Sequence, residues 1–326
     1  MANNNNPSSL RWTLLRQALL RRPPPPQPTS AEGQSQNTIK RISRKAMQGF
    51  NMIPYHLVNG DSEEEAIILN RRNGNYNSKD ATLCYTLPIH GNGAPTNKLF
   101  LTQRMNNVAD ISDLEFCNKH DIDNTGLVCQ WPSEDVLAYF CLSHADLFRS
   151  KRVIELGSGY GLAGLVIAAV TDATEVIISD GNPQVVNYIE HNIDANSKAF
   201  GATKVKSMTL HWNQDKISNI SYSFDLIIAS DCTFFKECHK GLAQVVKNLL
   251  KKVGPCEAIF FSPKRGDSLD KFLEEIKENG LQFSITEKYD AEIWNRHQRF
   301  MNGDDHDAWP SYEKDHSYPL LVRITP

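Results

Sequence analysis

Three glycines at alternate positions, Gly157, Gly159 and Gly161, follow an apolar run that ends in an acid: "VIELGSGYGLAGL", residues 153–165. A glycine has no Cβ, so a ligand can lie directly against its backbone. The spacing is G-x-G-x-G, and position 162, where a dinucleotide fingerprint needs its third glycine, is Leu162. Two acids sharpen the reading. Glu155 stands near the end of the apolar run. Asp180 closes the next such run, 23 residues beyond Gly157, where an acid can accept both hydroxyls of a ribose. Each acid also has a purely structural reading: Asp180 as a helix N-cap in "SDGNP", and Glu155 as the acceptor that orders the loop. Trp212, in "LHWN", offers either a rigid face for a nucleobase or a core contact.

Together these residues fit S-adenosylmethionine better than NAD. The glycine turn, with Ser158 in it, admits the methionine moiety; Asp180 takes the ribose and Trp212 flanks the adenine. Methyl transfer needs a neutral nucleophile, in-line geometry and exclusion of water, and no general base stands out. His211 and His239 are expected to pack or to face solvent.

Positioning these residues requires a parallel sheet whose strands end at one crevice. "RVIEL" (152–156), "EVIIS" (175–179), "VKSMTL" (205–210), "FDLIIAS" (224–230) and "EAIFFS" (257–262) read as buried strands. Helix-length segments at 161–171, 184–199, 236–252 and 268–279 alternate with them, and "YPLLVRIT" (318–325) offers a last strand. The pattern predicts an α/β, doubly wound, Rossmann-like sheet over 126–326. Ahead of it, "PSEDVLAYFCLSHADLF" predicts a helix with Ser133 as N-cap. Residues 39–125 read as a small β unit, with "IKRISRKAMQGFNMI", "EEEAIILNRR", "DATLCYTLPI" and "KLFLTQRM" as strand-like runs.

Residues 1–38 read as a disordered, basic, Pro-rich tail. Within it "LRWTLLRQALLRR" can place Trp12, Leu15 and Leu19 on one helical face, as a transit segment, a partner-binding helix or a tail without function. Up to residue 60 the chain carries eight Lys/Arg and one acid, Glu32. Beyond it, 27 Lys/Arg face 37 Asp/Glu, so a basic arm precedes an acidic body. The seven cysteines lack metal-ligand spacing, which fits a reducing compartment and argues against a disulfide framework or a structural metal. No apolar window is long enough to span a bilayer.

At this point "VIELGSGYGLAGL", "ISDGNP" and "FDLIIASDCTFF" resemble the seven-strand protein-lysine methyltransferases, methyltransferase family 16. "CQWPSEDVLAYF" is similar to that family's preceding helix, whose Trp commonly contacts the cofactor, here Trp131. The family's acid followed three residues later by an aromatic, usually Tyr, stands here as Asp231 and Phe234, with Phe in place of Tyr. The resemblance implies that Asp231 holds the substrate amine, that Phe234 lines its channel and that Ser230 sits beside S-adenosylmethionine. A finer resemblance, in "RISRKAMQGFNMI" and "SDCTFF", implies calmodulin as the protein substrate. A chaperone, an elongation factor or a non-catalytic scaffold role are the alternatives. The expected enzyme is a monomer of the cytoplasm and nucleus that binds neither nucleic acid nor membrane.

Overall fold

The computed structural model describes residues 49–71, 80–88, 97–104, 117, 122, 125–128, 131–212, 220–304 and 309–326. The expected tail and the basic positions Lys40, Arg41, Arg44 and Lys45 lie outside them. Strands β1 (Tyr55–Leu57), β2 (Asp80–Leu87) and β3 (Asn97–Arg104) form a three-stranded antiparallel sheet. Between β1 and β2, the "EEEAIILNRR" run is not a strand but helix α1 (Glu63–Arg71). Its three acids, Glu63, Glu64 and Glu65, occupy the first turn, where the helix dipole favours them. The Ser62 hydroxyl accepts the Glu65 amide at 3.2 Å, so capping chemistry outweighs the β-branched content of the run.

Helix α2 (Pro132–Ser143) begins two residues earlier than a Ser133 cap implies, with Trp131 at the N-cap position and no side-chain cap of its own. Proline's fixed φ suits the first helical position, and that sets the start. The main sheet follows: β4 (Arg152–Leu156), helix α3 (Leu162–Val170), β5 (Glu175–Asp180), helix α4 (Pro183–Asn196), β6 (Lys204–Thr209) and β7 (Leu226–Ser230). Helix α5 (His239–Leu249), β8 (Glu257–Ser262), helix α6 (Ser268–Glu278), β9 (Gln282–Thr286), helix α7 (Ala291–Asn302) and β10 (Leu320–Thr325) complete it. The sheet order is β6-β5-β4-β7-β8-β10-β9.

The central strands are nearly continuous in apolar residues because both faces are covered. On one face α2, α3 and α4 pack through residues such as Val136, Leu165 and Ile189. On the other, α5 and α6 pack through Leu242, Val246 and Phe272. Edge strand β6 reads "KVKSMT" with exposed Lys204 and Lys206, which discourages pairing with another chain. One feature departs from a purely parallel sheet: β10 pairs antiparallel with both β8 and β9. An apolar run carries no direction of its own. Here α7 does not return the chain across the sheet, so β10 starts at the end where β9 stops. No helix among the described residues is long and apolar enough to cross a membrane.

The three-stranded sheet docks through two side-chain amides on α4. Asn196 accepts the Phe100 amide at 2.8 Å and donates to the Phe100 carbonyl at 2.7 Å. Asn192 accepts the Thr102 amide at 2.8 Å and donates to the Thr102 and Tyr160 carbonyls. Spaced four apart on one helical face, the two asparagines give edge strand β3 the bonds that another strand would supply.

Candidate active site

Sheet order reverses around β4, with β5 on one side and β7 on the other. In open α/β sheets, ligands bind at the carboxyl ends of strands at this switch point. The glycine turn lies there. At Gly157, φ is +58° and an added Cβ would stand 2.8 Å from Cys232 Sγ and 3.0 Å from Trp212 Cζ2. Glycine is therefore required for packing beneath the Trp212 ring. Gly159, φ +56°, is different: a Cβ there would meet only the Gly126 carbonyl, at 3.8 Å. It is the position of the turn that leaves its backbone open to a ligand.

Asp180, at the end of β5, faces this opening. Its Oδ2 accepts the Gly159 amide at 3.1 Å and its Oδ1 the Asn182 amide at 2.9 Å. The N-cap of α4 is Asn182, whose side chain accepts the Gln184 amide at 2.9 Å. Asp180 is thus free of the capping role and holds the turn instead. Gly126 crosses close by, where a Cβ would lie 3.3 Å from Asp180 Oδ2. Glu155 is buried, and its carboxylate accepts the Gly164 amide of α3 at 2.9 Å, the loop-ordering bond. The Ser158 amide donates to the Ser179 carbonyl at 3.0 Å, while its buried hydroxyl has no protein partner among the described residues.

A second group gathers at the ends of β7 and β8. Asp231 has a left-handed backbone, φ +54°. Its Oδ2 accepts the Ser133 amide at the start of α2 at 3.0 Å, and its Oδ1 lies 2.6 Å from Arg265 Nη1. The Arg265 guanidinium carbon stands 5.0 Å from the Trp131 ring centre and 5.6 Å from that of Phe234. Those two rings are 5.5 Å apart, and Phe234 is 43% exposed at the rim. Trp131 thus sits on the Asp231 side of the crevice. The following loop is pinned at the Thr233 carbonyl, which takes bonds from the Ser268 hydroxyl at 2.5 Å and from His239 Nε2 at 2.9 Å. His239 packs there as the sequence suggests. Ser230 precedes Asp231 at the end of β7, and its carbonyl accepts the Cys232 thiol at 3.3 Å.

The electrostatics of the crevice are acidic. Burial pushes the Glu134 carboxyl up to about 8 against the stabilising Leu162 amide, and Asp135, Asp231 and Asp180 add to the rise. Burial, then Glu134, pushes Glu155 well above the carboxylate range. Asp135 is raised by burial to about 6, opposed by the Met52 amide. A narrow cleft of about 20 Å³ reaches this acidic wall, lined by Tyr55, Tyr85, Trp131, Glu134 and Leu162 among others. Carboxylates crowded around one turn favour a ligand that brings positive charge.

The family model for lysine methyltransferases matches residues 112–279. The chain belongs to the lysine methyltransferase family. This lysine methyltransferase is 58% identical to the calmodulin-lysine N-methyltransferase of Arabidopsis thaliana, over 99% of its own length and 98% of that protein's. It is also 28% identical to the mouse protein-lysine N-methyltransferase EEF2KMT over 48% of this chain and 50% of that one. The zebrafish protein N-lysine methyltransferase METTL21A is 28% identical over 50% and 71% respectively.

Three residues of the lysine methyltransferase crevice escape a reading of the sequence. Arg265 carries a usable signal, since "PKRG" directly follows β8 and so stands at the carboxyl end of a central strand. Glu134 reads as an ordinary first-turn acid of α2. Gly126 lies in a one-turn helix, Thr125–Val128, with no pattern around it.

Proposed function

We propose that this lysine methyltransferase transfers methyl groups from S-adenosylmethionine to a lysine side chain of calmodulin, carrying it to the trimethylated state. The reading rests above all on the 58% identity that runs through 99% of this chain and 98% of the calmodulin-lysine N-methyltransferase of Arabidopsis thaliana, well beyond the span of the family model. The residues present fit the cofactor. The open backbone at Gly159, the Ser158 hydroxyl, unpartnered among the described residues, and the Asp180 carboxylate lie together, and the acids around them suit a ligand carrying a sulfonium and an ammonium.

In this assignment Gly157, Ser158, Gly159 and Gly161 receive the methionine moiety, Asp180 the ribose and Trp212 the adenine. Glu155 keeps the turn in shape, Ser230 borders the cofactor, and Trp131 stands between the cofactor cleft and the substrate side. When bound, the cofactor supplies the methyl: the amine lone pair forms the new N–C bond while the C–S pair stays on sulfur. Asp231 accepts an N–H of the amine and orients its lone pair. Phe234 lines the channel and offers a ring face to the methylated ammonium. The proton released after each round leaves to solvent. The compartments that go with this substrate are the cytoplasm and nucleus.

The test is incubation of the purified protein with labelled cofactor and recombinant, unmethylated calmodulin, with mass-spectrometric mapping of the product. Stepwise mono-, di- and trimethylation of one lysine is expected. Cofactor binding with calmodulin left unmodified, and label on another lysate protein, would sink the substrate assignment and leave the chemistry standing.

A further inference from the structure

We infer that Arg265 is a positioning residue for methyl transfer: by neutralising Asp231 it keeps the arriving lysine amine uncharged. The inference rests on the reading of Asp231 as the group that meets the amine.

The Asp231–Arg265 pair is built in. Its side chains are 1% and 10% exposed, with 2.6 Å between Oδ1 and Nη1. Both partners have left-handed backbones, φ +54° and +42°, a conformation that non-glycine residues rarely adopt. The Asp231 amide is tied to the Phe261 carbonyl at 3.0 Å, and the Arg265 amide to the Asp315 carbonyl at 2.7 Å. Two aromatic faces, Trp131 and Phe234, complete the seat of the guanidinium. A buried pair held this way does not open cheaply, so the substrate meets the pair rather than a free carboxylate.

The chemistry needs that arrangement. A lysine ammonium has no lone pair to take a methyl, and its solution pKa is about 10.4. A bare carboxylate at this depth would bind the ammonium and raise that value further. Arg265 cancels the carboxylate's charge. Asp231 still has lone pairs with which to accept an amine N–H. Among the described residues, Glu134 of α2 senses Asp231 directly, Lys264 and Asp267 belong to the Arg265 loop, and Asp315, next to Lys314, accepts the Arg265 amide ahead of β10. Asp267 is tied to Lys236 and Lys271, and Lys314 to Glu287. Glu134 is the neighbour raised into the neutral range, so its titration has to be separated from that of the amine.

The experiment is the pH profile of single-turnover methyl transfer at saturating cofactor and unmethylated calmodulin, where the limb reports the bound complex. Arg265→Gln is expected to move the acid limb to higher pH by about one unit, a roughly tenfold loss at neutral pH that alkali recovers. Arg265→Lys should keep the limb near its wild-type place. The double variant Asp231→Asn/Arg265→Gln, with both charges gone, should return it there. The Arg265→Gln shift should persist in a Glu134→Gln background. A rate lowered equally at every pH would reduce Arg265 to a structural part, and a shift that vanishes without Glu134 would assign the titration to that acid; either result overturns the proposal. Calorimetric cofactor affinity should stay constant in Arg265→Gln and Arg265→Lys, and its loss in both would also overturn the proposal. A wild-type enzyme that methylates a different protein refutes the calmodulin reading instead, and the same profiles on that protein decide the role of Arg265.

Discussion

The Asp231 carboxylate accepts the Ser133 amide at 3.0 Å across 98 residues of sequence. A strand end thus caps the helix that opens at Trp131, and places a negative charge where the α2 dipole is positive. One side chain therefore joins α2, β7 and, through Arg265, the loop after β8.

Removing it has consequences beyond chemistry. Asp231→Ala strips the cap and leaves Arg265 buried without its partner, so it should lower stability by about 3–5 kcal/mol. Asp231→Asn keeps an acceptor for Ser133 and should cost less. Urea unfolding of the two variants, followed alongside turnover, checks this. Stabilities equal to wild type's in both variants would show that the pair contributes nothing to the fold.

Asp180→Ala should weaken cofactor binding by roughly 1.5–3 kcal/mol for each charged hydrogen bond lost. It also releases the Gly159 amide, so the turn should loosen without the sheet melting. Calorimetry on the folded variant that returned the wild-type affinity would remove Asp180 from the ribose site.

Gly157→Ala and Gly159→Ala separate packing from binding. Both incur left-handed strain of roughly 1–2 kcal/mol. Only the first drives a methyl into Cys232 and Trp212, so it should lose the more stability. The second should stay folded yet lose cofactor affinity, because its methyl enters open space beside Asp180. Thermal melts paired with calorimetry would show the reverse ranking if the opening lay elsewhere.

Glu134 makes the cofactor-free protein sensitive to pH. Its carboxyl is raised in the fold to about 8 from an ordinary 4.5. The folded state therefore holds a proton that the unfolded state has released anywhere between those values, and stability falls as pH rises through that window. Glu134→Gln should flatten the decline between pH 5 and 8. If the variant's melting temperature falls with pH as steeply as wild type's, the acid is not the source.

Phe50→Ala tests how the start of the described chain is anchored. Phe50 is fully buried, its ring 5.7 Å from Phe300, 5.9 Å from Trp309 and 6.3 Å from both Tyr312 and Tyr318. The substitution should cost about 3–5 kcal/mol, whereas deleting residues 1–38 should leave the melting temperature unchanged. A truncation that melts as early as the Phe50 variant would show that the tail packs on the body.

Much of the fold could be read from strings such as "VIELGSGYG" and "DLIIAS", because a strand buried on both faces leaves an unbroken apolar run. The α1 segment reads as a strand because "AIIL" has strand-like composition, while the decisive signal, Ser62 ahead of three acids, is local and polar. Helix α7 has a cap signal in Asp290, which accepts the Glu292 and Ile293 amides, but no apolar run marks it as part of the sheet. Gly157, Asp180, Trp212 and Asp231 were legible because each falls at a strand end or just past one. Arg265 was not, since pairing it with Asp231 depends on β8 lying beside β7, and adjacency in a sheet is written nowhere in a single sequence.

The interior place of β10 has a bearing on how the polypeptide is made. A ribosome delivers β8 and β9 before the strand that will separate them. In that interval the nascent chain holds two unsatisfied strand edges of similar direction, each able to accept the other in a pairing the finished sheet forbids, and exposed edges of this kind invite misassembly. Helix α7, made next, packs Ile293 and Phe300 into the core beside α2, and so commits the intervening segment before β10 arrives to claim its slot.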